Sequence, residues 1–200
     1  MTALRKATVA LTTEAVPFAI RAERASDVAA REALLDASFG ENRQARTCQR
    51  IRDGRAPAEG LAFTAVHRGR VVGTVRLWHV SAGGIPALVL GPLAVDGPYR
   101  KFGIGAALMK HAVAAAKARG HGAVVLLGDA PYYARFGFSP LKTGELSLPG
   151  PFERDRLLGL ELREGALDGA WGMIVPTGMT ASRPRPRVSE KARQLSPQAA

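Results

Sequence analysis

Residues 98–120 read PYRKFGIGAALMKHAVAAAKARG: a basic residue and two spaced glycines lead directly into an alanine-rich helical run, which Gly120 closes in a C-cap role. This junction constrains the fold because of what flanks it. Ahead lies the apolar stretch Ala87–Val95 (ALVLGPLAV), and behind lies Ala123–Leu127 (AVVLL), which has no polar residue. A short, wholly apolar strand suits the interior of a sheet covered on both faces. A turn and helix joining two such strands already specify an α/β protein.

The remaining elements follow from local signals. Phe18–Arg21 is a short strand. Ser26-Asp27 is a cap for a helix over Val28–Phe39, and a second short helix is expected over Arg43–Arg52, closed by Asp53-Gly54. Leu61–Val66 and Val71–Val80, joined by HRGR, form a hairpin. The strand Ala87–Val95 comes next, then the helix Ile104–Arg119 and the strand Ala123–Leu127. A short helix is expected over Pro131–Phe136, and strand-like pieces over Phe138–Leu148 and Leu158–Val175, the last being Trp171–Val175. The order is too irregular for a doubly wound parallel sheet and fits a mixed, mostly antiparallel one.

Two hundred residues with 46% apolar content suffice for one core. Cys48 is the only cysteine, so no internal disulfide forms and a reducing, cytoplasmic setting is expected. Four scattered histidines outline no metal site. No run approaches the length of a membrane span, and the first nineteen residues are too polar for an export signal. The formal charge of +11 points to an anionic ligand. Part of it sits in a Pro-rich end carrying Arg183, Arg185, Arg187, Lys191 and Arg193 against Glu190. That segment has no interleaved aromatics and does not point to nucleic acid. The expected organisation is an arm at 1–17, one domain at 18–176 and a basic, disordered tail at 177–200.

Helix N-termini present unpaired N–H groups and a partial positive charge, and glycine lets a phosphate come close. Arg100 and Lys101 add charge at the rim, so pyrophosphate is the natural guest. A nucleoside-triphosphate loop needs Lys-Ser/Thr after its last glycine, and here Ala106-Ala107 follows Gly105. A dinucleotide fingerprint needs a third small residue where Leu108 stands, and an acid about twenty residues on that is missing. A plain glycine turn into an ordinary helix is the third reading.

The neighbouring motifs extend this pattern. Arg100-x-x-Gly103-x-Gly105, preceded by LGPLAV and followed one strand later by YYARFGF, resembles the GCN5-related N-acetyltransferase (GNAT) superfamily. Within it, the order GPLAV, GIG and GD…YYxRFGF is similar to bacterial YhbS-like N-acetyltransferases. The resemblance implies a GNAT-type sheet whose central strands splay into a V that holds acetyl-CoA as cosubstrate, without a metal. It implies that Arg100, Lys101, Phe102, Gly103, Ile104, Gly105 and Ala106 cradle the pyrophosphate. The backbone groups of Leu93, Ala94 and Val95 would pair with the pantetheine arm and steady the thioester oxygen. Tyr133, four residues before Gly137, is the expected acid for the leaving thiolate, with Tyr132 as its neighbour.

One departure stands out: many family members carry a glutamate on the bulged strand, and PALVLGPLAV has none. Asp129, Glu41, His79 or a water chain are the candidates for taking the amine proton. Acceptor walls are expected from Phe39–Arg52 and Gly144–Leu157, and Phe39, Cys48, Trp78 and Trp171 are expected mainly as core. The acceptor is a small-molecule or protein amine, and a homodimer is compatible. A non-catalytic acyl-CoA sensor and a dinucleotide-binding oxidoreductase stay open as alternatives.

Overall fold

The computed structural model describes residues 16–181, with the side chain of Glu41 also outside the description. The expected arm up to residue 15 and the basic segment from residue 182 lie outside the described residues. The elements are β1 (Ala19–Ala22), α1 (Val28–Phe39), α2 (Thr47–Arg50), β2 (Ala62–His67), β3 (Arg70–Ala82), β4 (Ile85–Val95), α3 (Ile104–Ala118), β5 (Ala123–Leu127), α4 (Ala130–Ala134), β6 (Leu146–Ser147), β7 (Leu157–Glu161) and β8 (Gly172–Pro176).

The sheet runs β1-β2-β3-β4-β5-β7, with β8 pairing the end of β3 and β6 beside β8. Most neighbours are antiparallel, and β4–β5 and β6–β8 are parallel. The doubly wound sheet that a dinucleotide-binding oxidoreductase needs is not what these strands build. No helix among the described residues is long and apolar enough to cross a membrane.

The period of two along each strand sorts the core into two faces. Phe63, Ala65, Val75, Leu77, Leu88, Leu90, Val124 and Leu126 pack beneath α3, against Ile104, Leu108, Met109, Ala112 and Ala116. The alternate residues Trp78, Val80, Ala87, Val89, Ala123 and Val125 face Leu146, Leu157, Leu167 and Ile174. The wholly apolar sequence of β5 follows directly, since both of its faces are covered. At Gly73 an added Cβ would lie 2.9 Å from Leu108 Cδ1, so the missing side chain lets α3 sit against the sheet. Leu34 and Leu35 of α1 cover Ala94.

Several expectations shift. The second helix is not continuous: a 3-10 turn covers Glu41–Ala45 and a single α-helical turn covers Thr47–Arg50, with extended backbone at Arg46 between them. The segment instead ties across the molecule, as Thr47 Oγ1 donates to the Pro151 carbonyl and Arg50 Nη1 to the Pro149 carbonyl. Asp27 does not cap α1 through its side chain. Its carboxylate turns back, accepting from the Arg24 N–H at 2.8 Å and from Arg21 Nη1 at 2.6 Å. Within Phe138–Leu148 only Leu146–Ser147 is strand, because Pro140 opens a 3-10 turn. Trp171 is 74% exposed rather than core, along with Met173 and Val175, because β8 pairs at the sheet margin and nothing covers its outer face among the described residues. Residues 177–181, read from sequence as tail, hydrogen-bond to the body: Thr177 and Gly178 N–H donate to the His79 carbonyl, and the Ala181 N–H to that of Gly54.

An ion-pair chain fixes the loop after α1. Buried Glu23 lies between Arg31 and Arg76, Arg31 also pairs with Glu32, and Arg43 joins Glu32 to Asp36. The loop therefore holds its place beside β4 through partners on β3 and α1.

Candidate active site

β4 and β5 pair only at Leu88–Val124 and Val89–Val125, then separate. The cause lies in the sequence. Gly91 and Pro92 together oppose the single residue Arg76 of β3, so β4 bulges there. Trp78 Nε1 donates to the Gly91 carbonyl at 2.6 Å and pins the bulge. Beyond it, β4 still pairs with β3 on one side, and its other edge faces the gap.

The direction of the backbone groups follows from alternation. The Asp96 N–H donates to Val72 on β3, so the groups of Ala94 face β3 too, and those of Leu93 and Val95 face the gap. The Val95 carbonyl confirms that direction by accepting from Arg100 Nε at 3.2 Å.

The gap holds two cavities that meet at Leu93, Tyr132 and Tyr133, which line both. The smaller, about 510 Å³, lies at the start of α3 and is walled by Val95, Arg100, Lys101, Gly103, Gly105 and Ala106. Its lining also includes Arg135, and no acidic residue. Gly103 takes φ +74°, a left-handed conformation that side chains rarely adopt, and turns the chain into the helix. The Ala107 N–H makes a bond to the Gly103 carbonyl, so the N–H groups of Ile104, Gly105 and Ala106 precede the helical ladder. At Gly105 a Cβ would stand 3.2 Å from Tyr132 Oη, so glycine keeps this approach open.

Leu93, Val95, Arg100, Lys101, Gly103, Gly105 and Ala106 thus come together as the sequence predicts. Three expected residues do not line the groove with side chains. Ile104 is fully buried and Phe102 packs against the core, so only their backbones are available, whereas Ala94 packs on α1 and turns its backbone groups to β3, which takes it out of the expected contact with the pantetheine arm. Arg135 was missed by sequence reading. Its signal was its place one helical turn after Tyr132, over whose ring its guanidinium lies at 4.0 Å.

The larger cavity, about 760 Å³, is walled by the two predicted loops, from Phe39 to Arg52 and from Pro151 to Arg156, with Gly91, Pro92 and Asp129 between them. Tyr133 stands at the junction, edge-on to Tyr132 with centroids 4.9 Å apart. Its ring lies over Gly128, where a Cβ would come within 2.2 Å of Cε2. Burial, and then neighbouring Tyr132 and Asp129, push the Tyr133 phenol up to about 12, so it keeps its proton throughout the neutral range. Cys48 also lines this cavity, and burial pushes its thiol up, away from a nucleophilic thiolate.

The expected proton acceptors fare differently. Asp129 lines the cavity, but its Oδ2 accepts from the Tyr132 N–H at 3.3 Å as the cap of α4. His79 is remote, opposite Leu88 on β3, its ring 5.4 Å from that of His121 near the start of β5, away from the splayed ends.

Comparison with known proteins bears directly on this geometry. The model of the Acetyltransferase (GNAT) family matches residues 28–138. The chain is 31% identical over 157 residues to the uncharacterized N-acetyltransferase YhbS of Escherichia coli K12, covering 78% of this chain and 93% of the relative. Among solved structures, YhbS of E. coli in complex with CoA superposes with a TM-score of 0.70 at 30% identity, over 83% of this chain and 93% of that one. A GNAT family acetyltransferase of Brucella melitensis in complex with acetyl-CoA gives 0.57 at 25% identity, over 84% and 97% of the two chains. A splayed β4–β5 pair, a glycine turn at a helix start and a family match over more than half of the chain agree: this protein belongs to the GNAT family of N-acetyltransferases.

Proposed function

We propose that the protein transfers an acetyl group from acetyl-CoA to a primary amine, on a small molecule or a protein, in the cytoplasm. The observation that carries this reading is the pair of cavities meeting at Leu93 and Tyr133, one end cationic and built on a helix start, the other walled by two loops. Two relatives of known structure hold CoA or acetyl-CoA, which supports the same cosubstrate here.

In this reading the pyrophosphate lies on the N–H groups of Gly103–Ala106 beneath Arg100, Lys101 and Arg135. The pantetheine arm runs along the free edge of β4, pairing with Leu93 and Val95. The neutral amine attacks the thioester carbonyl carbon, forming the C–N bond. The Leu93 N–H, on the edge of β4 that faces the gap, steadies the tetrahedral oxygen. As the C–S bond breaks, the Tyr133 hydroxyl donates to the thiolate, and the amine proton leaves through water. The N-acetylated amine and free CoA result.

Two measurements test it. Acetyl-CoA and CoA should raise the melting temperature where NAD does not. Thiol release with a panel of amines should then show turnover; binding without turnover of any amine leaves the acyl-CoA sensor. The sensor keeps one observation in its favour, the engagement of Asp129 as a helix cap on a site whose bulged strand has no carboxylate.

A further inference from the structure

The larger cavity carries charges whose pairings differ. Arg43 is matched by Glu32 and Asp36. Arg156 lies 3.3 Å from Glu153, and Asp129 caps α4. Arg52 forms no ion pair within 4 Å among the described residues, and the adjacent Asp53, whose charge acts on it, accepts from Gln49 Nε2 at 2.7 Å. Arg52 Nε donates to the Cys48 carbonyl at 3.0 Å. Its Nη1 would sit 3.4 Å from a Cβ on Gly91, so the guanidinium stands at the bulge itself. Arg46, at the outer rim, donates to the Phe39 carbonyl and likewise has no acidic partner among the described residues.

Burial disfavours the charge on Arg52 and pushes its pKa down, yet a guanidinium remains charged at any physiological pH. Leaving such a charge half-desolvated without a directly paired counter-ion is costly. Cavities that tolerate it are those where the ligand supplies the anion.

On the transfer reading, we infer that the acceptor is a small amine that also carries a carboxylate, gripped by Arg52 with Arg46 behind it. Arg52 is then the residue that sets acceptor specificity. The spacing limits the acceptor further. The guanidinium stands at Gly91 and Leu93 lines the same cavity two residues on, so amine and carboxylate are separated by only a few bonds, as in an α-, β- or γ-amino acid. The same cations lower the pKa of a nearby ammonium, which favours the neutral nucleophile without a glutamate on β4.

The test uses the full chain, saturating acetyl-CoA and thiol release. Each amino acid is compared with its amide and with its decarboxylated amine. The carboxylated member should lead in kcat/KM by roughly 10- to 100-fold, the range of one charge-assisted contact. Arg52→Gln should erase that preference through acceptor KM, Arg52→Lys should keep part of it, and acetyl-CoA affinity measured by calorimetry should hold within about threefold, which also shows that the variant folds. Turnover of neutral amines alone, or of no carboxylated amine while acetyl-CoA binds, overturns the inference. So does a preference for succinyl-CoA with neutral amines, which places the carboxylate on the donor. Failure of acetyl-CoA to bind the native chain overturns the transferase reading instead.

Discussion

Tyr133→Phe removes one oxygen and keeps the ring that lies over Gly128, so packing changes little. The size of the kinetic effect follows from the burial of the phenol. With its pKa pushed up to about 12, the hydroxyl is a weak acid facing a thiol whose ordinary value is about 8.5. Complete proton transfer is then uphill by about 5 kcal/mol. In the proposed transfer, Tyr133 would therefore act by donating a hydrogen bond to the developing thiolate rather than by surrendering its proton early. Losing one such charge-assisted bond is worth about 1.5–3 kcal/mol, a fall in kcat of roughly 10- to 150-fold. Thiol-release kinetics should show that fall, with acetyl-CoA affinity within about threefold of the native protein. The pH profile adds a second check. The raised pKa keeps the hydroxyl protonated through pH 10 and removes it only as the pH approaches 12, so kcat should show no descending limb near 10 from this group. A loss below threefold or a loss confined to acetyl-CoA binding would refute the assignment, and a descending limb near pH 10 that vanishes in Tyr133→Phe would refute the raised pKa.

Gly105→Val places its side chain where Tyr132 Oη and Val95 Cγ2 already approach, so acetyl-CoA affinity should fall at least tenfold while the circular dichroism spectrum holds. Asp27→Asn tests the Arg21–Asp27 pair. The hydrogen bond from Arg21 lowers the Asp27 pKa to about 2, so its stabilisation is fully present above the unfolded value near 4 and is lost as the pH falls through 2. Urea unfolding at pH 7 should show a loss of about 2 kcal/mol for the variant, and that difference should shrink between pH 4 and 2. Leu108→Ala opens a cavity under α3, where the native side chain is fully buried, and should cost about 2–5 kcal/mol by urea melt; under 1 kcal/mol would mean that α3 is not seated as described.

Much of the frame was legible before any coordinates. Val28–Phe39 and Ala123–Leu127 occur within the bounds expected, and the long helix agrees to a residue, because each has a strong local signal: a run of good helix formers, or a wholly apolar strand between glycines. The glycine turn ahead of the long helix was legible for the same reason, since the left-handed backbone at Gly103 favours glycine, and Gly105 stands where a side chain would meet Tyr132 Oη. The interruption of Arg43–Arg52 was not, because Thr47 and Arg50 trade helical continuity for contacts with a loop about a hundred residues away. The same holds for the exposure of Trp171. Arg52 shows the division most clearly. Its sequence neighbourhood, QRIRDG, reads as one cation among many. Only the bulge at Gly91-Pro92 brings the guanidinium to the mouth of the splayed strands. Periodicity and turn chemistry are local and can be read along the chain, whereas the value of a charge depends on which distant groups share its surroundings, and folding alone selects those.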